Sequence, residues 1–248
     1  MKRKLYIFLL GCALSCTAFA ADFQEANEAY IAGDFETATA AYEELVATGN
    51  ESADLYYNLG NSYYRQGQLA PAILNYERAL KVDATPADAA FNLKHVQSKT
   101  VDKIEPVGSI FLVDWWKACY RVASPDVWAY VSVGLFLLVL VGLSIFIFGK
   151  IVWLRKTSFS ISIIALICTI FAAVFAVERH QELTDASQAI VFAPTITIKS
   201  SPDNSGTDLF ILHEGTKVTI KSTLDAWSEI QTEDGNTGWL PSEVIEII

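Results

Sequence analysis

Two long uncharged apolar segments constrain this chain most. Residues 127–148 and residues 158–177 contain no charged side chain, and as helices they would extend about 33 Å and about 30 Å. These lengths are sufficient to cross the hydrocarbon core of a bilayer, which is about 30 Å thick. A pair of buried core helices is the alternative, but the chain offers no partner large enough to cover such a hairpin on all sides. We therefore expect two transmembrane helices.

The N-terminal residues are typical of an exported protein. A basic start at residues 2–4 precedes an apolar stretch, and the small residues Ala18 and Ala20 stand before a cleavage point. This pattern predicts a signal peptide over residues 1–20. A lipoprotein box that would attach a lipid to Cys12 is the alternative interpretation of the same stretch.

The segments around the apolar helices predict how they are oriented. The loop at residues 149–157 carries Lys150, Arg155 and Lys156 and no acidic residue, so the positive-inside rule places it in the cytoplasm. The flanking soluble parts then face the periplasm from a bacterial inner membrane. Residues 100–126 form a linker whose aromatic part is either an interfacial amphipathic helix or a simple anchor of the first span.

The two soluble parts are both acidic. Residues 21–106 hold 6 basic and 14 acidic side chains, and residues 186–248 hold 3 basic and 9 acidic ones. A nucleic-acid partner is therefore not expected, because phosphate contacts need a basic face. Basic or uncharged protein surfaces and the membrane lipid are the expected partners.

The chemistry-bearing residues do not form a catalytic pattern. The four Cys and three His are scattered without metal-ligand spacing. The sequence also lacks a nucleophile elbow and a glycine-rich phosphate loop. We therefore predict a non-enzymatic protein with no catalytic residues, no metal and no cofactor.

Residues 21–99 repeat themselves with a period of 34 residues. The recurring pairs include Asn27 and Asn61, Tyr30 and Tyr64, Gly33 and Gly67, Ala38 and Ala72, and Tyr42 and Tyr76. The pattern resembles the tetratricopeptide repeat (TPR), with its fullest copy at residues 53–86. Two and a half copies predict about five helices, of which the last, at residues 87–99, acts as a terminal cap.

The TPR resemblance implies a groove lined by the first helix of each repeat. Carried onto this chain, the groove residues are Asn27, Tyr30, Tyr57, Asn61, Tyr64, Arg65 and His95. Tyrosines interleaved with asparagines suit a peptide-binding face. For each residue, packing against a neighbouring helix remains the alternative to a contact with a partner.

Residues 186–248 change to short alternating segments separated by turns. Five strands are expected, at residues 189–192, 195–199, 217–222, 227–232 and 238–240. The segment resembles the bacterial SH3-type domain through Glu214-Gly215, Trp227 and Gly238-Trp239-Leu240, which implies a small all-β, SH3-like barrel. Trp239 is the first candidate for a ligand contact and Trp227 the second, and a core position is the alternative for both.

The order of the parts resembles one family as a whole. A signal peptide, TPR repeats, a two-span hairpin and an SH3-like domain follow one another as in the Bat E family of the Bacteroides aerotolerance operon. The connecting stretches ADAAFNLKHVQSKTVDKIEP, FLVDWW and SPDVWAYVS carry the resemblance. It implies partner Bat membrane proteins with von Willebrand A-type domains, a MoxR-type ATPase, and a role in aerotolerance or oxidative stress.

The sequence thus predicts a multidomain membrane protein built from an α-helical TPR solenoid, a transmembrane hairpin and an SH3-like domain. The favoured function is a scaffold for protein–protein interaction. The alternative is a cell-envelope tether whose SH3-like domain binds peptidoglycan or its peptide stems.

Overall fold

The computed structural model of the chain describes residues 22–83, 87–104, 108 and 110–248. The predicted signal peptide and Cys12 lie outside the described residues. The chain divides into two compact units, one containing the helical repeats together with residues 186–248 and the other comprising residues 108–185. We call the first the repeat–sheet unit and the second the hairpin unit.

The helical part of the repeat–sheet unit contains the five helices that the 34-residue period predicts. They are α1 (residues 22–31), α2 (Phe35–Ala47), α3 (Ala53–Arg65), α4 (Leu69–Val82) and α5 (Ala87–Gln97). Asp34 and Ser52 begin α2 and α3, since their side chains accept hydrogen bonds from the backbone N–H of Thr37 and Leu55. Local capping and the repeat pattern therefore agree on where these helices start.

Small residues let the helices of a repeat approach closely. A Cβ atom on Gly60 of α3 would lie 2.9 Å from the ring of Tyr76 on α4, and Tyr76 is fully buried. Ala72 and Ala79 of the same helix are also fully buried. The small positions of the TPR pattern thus serve close helix packing, as the sequence predicted.

The β part is an antiparallel sheet of seven strands. They are β1 (Gln188–Val191), β2 (Thr195–Lys199), β3 (Asp208–His213), β4 (Lys217–Leu224), β5 (Trp227–Thr232), β6 (Thr237–Pro241) and β7 (Ile245–Ile247). The order across the sheet is β3-β2-β6-β5-β4-β1-β7. The sequence predicted five strands and missed β3 and β7. β3 contains four consecutive apolar residues instead of an alternation, and β7 has only three residues.

The helical repeats and the sheet share one hydrophobic cluster. Ile73 of α4 packs with Ile190 of β1 and with Ile248, and all three are buried. Beside them, the Lys217 Nζ atom lies 2.8 Å from the Glu77 Oε2 atom in a largely buried ion pair. The sequence treated the two parts as separate modules, whereas the structure joins them through this one shared cluster.

The helical repeats also bind the strand at one end of the sheet order. Arg78 of α4 donates from Nη2 to the carbonyl oxygen of Ile247, at 2.7 Å, and Lys81 donates to the main-chain oxygen of Ile248, at 2.8 Å. An end strand otherwise presents unpaired backbone groups to other chains. Basic side chains of α4 thus satisfy carbonyl groups at the β7 end.

Asp102 binds the strand at the other end of the order. Its carboxylate accepts hydrogen bonds from the backbone N–H of His213, at 2.7 Å, and from the Thr216 hydroxyl, at 2.7 Å. The His213 ring lies 2.8 Å from the same carboxylate. Burial alone would raise the pKa of Asp102, but the hydrogen bonds from Thr216 and His213 outweigh it and lower the pKa. Asp102 is therefore ionised, and its carboxylate stabilises the turn between β3 and β4.

The hairpin unit contains a short helix and two long apolar ones. They are α6 (Phe111–Tyr120), α7 (Pro125–Phe148) and α8 (Val152–Thr184). Both long helices are sufficiently long and apolar to cross a membrane, and most of their side chains are exposed within the unit. Exposure of this kind is consistent with two membrane spans, because the core helix of a soluble protein would be covered by protein.

The start of the second long helix differs from the sequence expectation. α8 already begins at Val152, so Arg155 and Lys156 belong to its first turns rather than to a nine-residue loop. The aromatic segment before the first span is the helix α6, and the Trp116 ring packs edge-on against Phe175 of α8, with ring centroids 5.0 Å apart. The segment is therefore a helix packed on the hairpin, and its position at a membrane interface stays a prediction.

A pair of glycine variants tests the shared core. Gly215 and Gly235 both have positive φ, at +83° and +93°, so alanine at either position should cost about 1–2 kcal/mol in backbone strain. Only at Gly215 would the new Cβ atom meet neighbours, at 2.9 Å from both Ile73 and Thr100. We predict that Gly215→Ala lowers the free energy of unfolding by roughly 1–3 kcal/mol more than Gly235→Ala.

Hydrogen exchange of α4 and β1 amides in the full chain would measure this difference. Equal losses in the two variants would mean that the turn at Gly215 does not pack against the helical repeats.

Candidate functional site

Asn27 lies at the centre of a hydrogen-bond network in the first repeat. Its Oδ1 atom accepts from the Tyr42 hydroxyl, at 2.6 Å, and from the Asn58 amide, at 3.1 Å. The bonds therefore join α1, α2 and α3. Burial raises the pKa of Tyr42 to about 12, so its hydroxyl stays protonated as the donor at neutral pH.

Asn61 repeats this network one period later. Its Oδ1 atom accepts from the Tyr76 hydroxyl, at 2.7 Å, and from the Asn92 amide, at 3.0 Å. The Asn92 amide also lies 3.3 Å from the Tyr57 hydroxyl. The polar atoms of Asn27, Asn61 and Tyr57 thus form hydrogen bonds between neighbouring helices. A role in helix packing accounts for these bonds.

Tyr64 and His95 form a more accessible polar cluster with Lys99. The Tyr64 hydroxyl lies 3.0 Å from the His95 Nε2 atom, and the Lys99 ammonium group contacts the same hydroxyl. The Lys99 Nζ atom also lies 4.7 Å from the centroid of the Tyr64 ring. His95 and Lys99 are exposed, so this cluster presents donors to the solvent between α3 and α5.

Tyr30 and Arg65 both contact the ring of Phe35, a residue that was not among the predicted site residues. The rings of Tyr30 and Phe35 pack edge to face with centroids 5.3 Å apart. The Arg65 guanidinium carbon lies 4.3 Å above the Phe35 ring centroid, the geometry of a cation–π contact. Phe35 stands one period before Leu69, which is the signal that could have identified it.

Two exposed apolar residues complete this face. Ile31 is 82% exposed and Phe91 is 71% exposed. By the 34-residue period, Ile31 corresponds to Arg65 and Phe91 corresponds to Tyr57, so both occupy groove positions. Isolated exposed apolar residues are ordinary on a surface, but the 34-residue period assigns these two to the predicted groove. We call the face formed by Ile31, Tyr64, Arg65, Phe91, His95 and Lys99 the groove face.

Trp239 and Trp227 lie outside the core of the sheet. On β6 and β5 they alternate with the buried residues Leu240 and Ile230, so both side chains lie on the opposite side of the sheet from that core. Trp239 pairs with Lys199 on β2 and with Glu229 on β5. Both tryptophans are half-buried and neither belongs to the buried cluster of the sheet, so a contact with a ligand stays a prediction.

Metal coordination has no basis in the part of the chain that the structure describes. Among residues 22–83, 87–104 and 110–248, no group of three or more His, Cys, Asp or Glu side chains is arranged to hold a metal ion. The polar atoms of the groove face are hydrogen-bond donors and acceptors of ordinary side chains, and they are suited to contacts with another protein.

Comparison with known families identifies both soluble parts. Residues 53–86 match the tetratricopeptide repeat family, and residues 26–67 match a TPR repeat family. Residues 194–246 match the bacterial SH3 domain. The curated proteins contain no match to the chain. TPR repeats and an SH3 domain, as the sequence predicted, are therefore present, and both are typically non-catalytic interaction modules.

An asparagine variant separates the packing residues from the exposed ones. Asn61→Ala leaves the buried Tyr76 hydroxyl and the Asn92 amide without their acceptor, which should lower the free energy of unfolding of the repeats by about 1–3 kcal/mol. Arg65→Ala removes an exposed cation–π contact and should cost about 0.5–1 kcal/mol. Hydrogen exchange of α3, α4 and α5 amides would measure both losses of stability. A larger loss in Arg65→Ala than in Asn61→Ala would contradict the packing role of Asn61.

Proposed function

We propose that this protein is a non-enzymatic scaffold of a bacterial inner membrane. Its TPR repeats and SH3-like domain form one binding body on the periplasmic side. The observation that carries the proposal is the shared core of α4 and β1, in which Ile73 and Ile190 are fully buried. Because the two modules are packed together, their surfaces are presented to partners as one unit.

The shared core also supports the proposed topology. The hairpin of residues 108–185 is inserted between two segments of one folded unit, so both ends of the hairpin must lie on the same side of a membrane. Two spans satisfy this condition, whereas one span does not. The predicted signal peptide and the basic residues between the spans then favour the periplasm for the repeat–sheet unit.

The proposed partners follow from the resemblance to the Bat E family. They are Bat membrane proteins with von Willebrand A-type domains, acting with a MoxR-type ATPase in aerotolerance. The groove face is the proposed contact surface, because it combines the exposed apolar residues Ile31 and Phe91 with the exposed donors Arg65 and Lys99. Apolar anchors bordered by charged side chains are typical of protein-binding surfaces.

A double variant of the groove face tests this function. Ile31→Ser combined with Phe91→Ser should reduce recovery of a von Willebrand A-type partner in a pull-down from detergent about tenfold or more, because apolar anchors dominate binding energy. Val101→Ser, at another exposed apolar residue, is the matched control and should recover the partner as the wild type does. Equal recovery with all three proteins would contradict a role for the groove face.

Peptidoglycan binding is the second candidate function. It is favoured by the two tryptophans on the outer face of the sheet, where Trp239 lies between Lys199 and Glu229. Aromatic side chains bind sugars and peptide stems by stacking and by apolar contact. In this case the SH3-like domain would tether the protein to the cell wall.

Sedimentation of the full chain with purified cell wall tests the second function. The whole protein is needed because the sheet shares its core with the helical repeats. We expect Trp239→Ala to reduce the sedimented fraction several-fold and Leu209→Ala, at an exposed residue of β3, to leave it unchanged. A wild-type chain that stays in the supernatant would exclude this function.

A further inference from the structure

Helix α6 carries large apolar side chains that the hairpin unit leaves uncovered. Phe111, Leu112 and Trp115 are 75%, 58% and 62% exposed. Trp115 follows the other two by four and by three residues, so the three side chains are neighbours on the helix surface. We call them the exposed patch of α6. A contiguous apolar patch marks a surface that another molecule covers.

The charged residues of α6 lie on another side of the helix. Asp114 and Lys117 are three residues apart and therefore share one face. With 3.6 residues per turn, that face lies opposite Leu112. A helix with a broad apolar side and a charged side is typical of the interface between lipid headgroups and acyl chains.

Trp116 places α6 beside the uncharged segment of α8. Its ring centroid lies 5.0 Å from that of Phe175 and 6.4 Å from that of Phe171. Both phenylalanines belong to residues 158–177, the uncharged segment that we expect to lie in the hydrocarbon. Part of α6 therefore lies level with the membrane-spanning part of α8.

An ion pair at the C-terminal end of α6 gives the direction of the helix. The Arg121 Nε atom donates to the Glu182 Oε1 atom, at 2.9 Å, and Glu182 lies beyond the uncharged segment of α8. From Phe175 to Glu182, α8 rises about 10 Å, and α6 rises about 7.5 Å over the five residues that separate Trp116 from Arg121. The two helices therefore rise together, and the N-terminal half of α6, with the exposed patch, is its deeper half.

The surroundings of this contact on α8 favour lipid as the molecule that covers the patch. Ile170 and Val174, which precede and follow Phe171 on α8, are 57% and 38% exposed. In a membrane-spanning helix such apolar side chains contact acyl chains. The exposed patch of α6 therefore adjoins a surface that the bilayer already covers.

We propose that α6 is inserted as a third lipid-binding helix into the membrane leaflet at the two ends of the hairpin. Phe111, Leu112 and Trp115 contact acyl chains about 5–10 Å into the boundary between headgroups and hydrocarbon. Asp114 and Lys117 face the headgroups. The partner of this surface is the bilayer itself, so the proposal goes beyond the proposed function, which concerns the groove face and the SH3-like domain.

Spin labels on the full chain in phosphatidylethanolamine–phosphatidylglycerol vesicles test the insertion. In a chain whose four cysteines are replaced by serine, a single label is attached at Leu112→Cys or at Lys117→Cys. We expect the Leu112 label to be more accessible to oxygen, which dissolves in hydrocarbon, than to a water-soluble nickel chelate. The Lys117 label, on the charged face, should show the reverse preference.

Two results at Leu112 would overturn the proposal. A label as accessible to the nickel chelate as one at Val101→Cys, an exposed residue of the repeat–sheet unit, would place α6 in water. A label shielded from both oxygen and the chelate would mean that protein, such as a second copy of the chain, covers the patch.

Tryptophan fluorescence gives a second measurement that needs no label. In vesicles with brominated acyl chains, which quench tryptophans that they contact, Trp115→Phe should lose part of the quenched fluorescence of the wild type. Trp227→Phe, the same change in the SH3-like domain, should leave the quenched fluorescence unchanged. Equal quenched fluorescence in the wild type and both variants would overturn the proposal.

A label on α7 separates this proposal from the membrane topology. Leu138 is 47% exposed near the middle of α7, so a label at Leu138→Cys should be accessible to oxygen wherever the hairpin spans the bilayer. An oxygen-accessible Leu138 label together with a Leu112 label in water would retain the two spans and refute the insertion of α6 alone.

Discussion

The burial of Ile190 and Ile248 against Ile73 of α4 is the contact on which the rest of the structure depends. It joins two sequence-distant modules into one unit, and the Lys217–Glu77 ion pair lies at its margin. The residues that follow the hairpin must fold back onto the helices that precede it. The hairpin is therefore an insertion in a folded body, and its two long apolar helices are consistent with two membrane spans.

The repeats show how much a periodic sequence can predict. The 34-residue period predicted five helices and the equivalence of Asn27 and Asn61, and the structure repeats one hydrogen-bond network at both positions. What the period could not show is which residues remain available to a partner. Asn27, Asn61 and Tyr57 have the residue types of a binding face, but their polar atoms are used between helices, whereas Ile31 and Phe91 are exposed.

The shared core could not be predicted, because each module carries the features of a complete domain. Asp102 binds His213 across 111 residues of sequence, and Lys217 binds Glu77 across 140. A local sequence pattern cannot predict contacts between residues so far apart in the chain. The strands β3 and β7 were missed for a local reason, since β3 contains four consecutive apolar residues instead of an alternation and β7 has only three residues.

A charge-exchange experiment on the ion pair tests the single folded body most directly. Glu77→Lys and Lys217→Glu each place two like charges in a largely buried position, so each should lower the hydrogen-exchange protection of both α4 and β1 amides in the full chain. The double variant restores opposite charges and should recover much of that protection, with a favourable coupling of about 0.5–3 kcal/mol. Additive losses, or losses confined to the module that carries the substitution, would contradict a shared core.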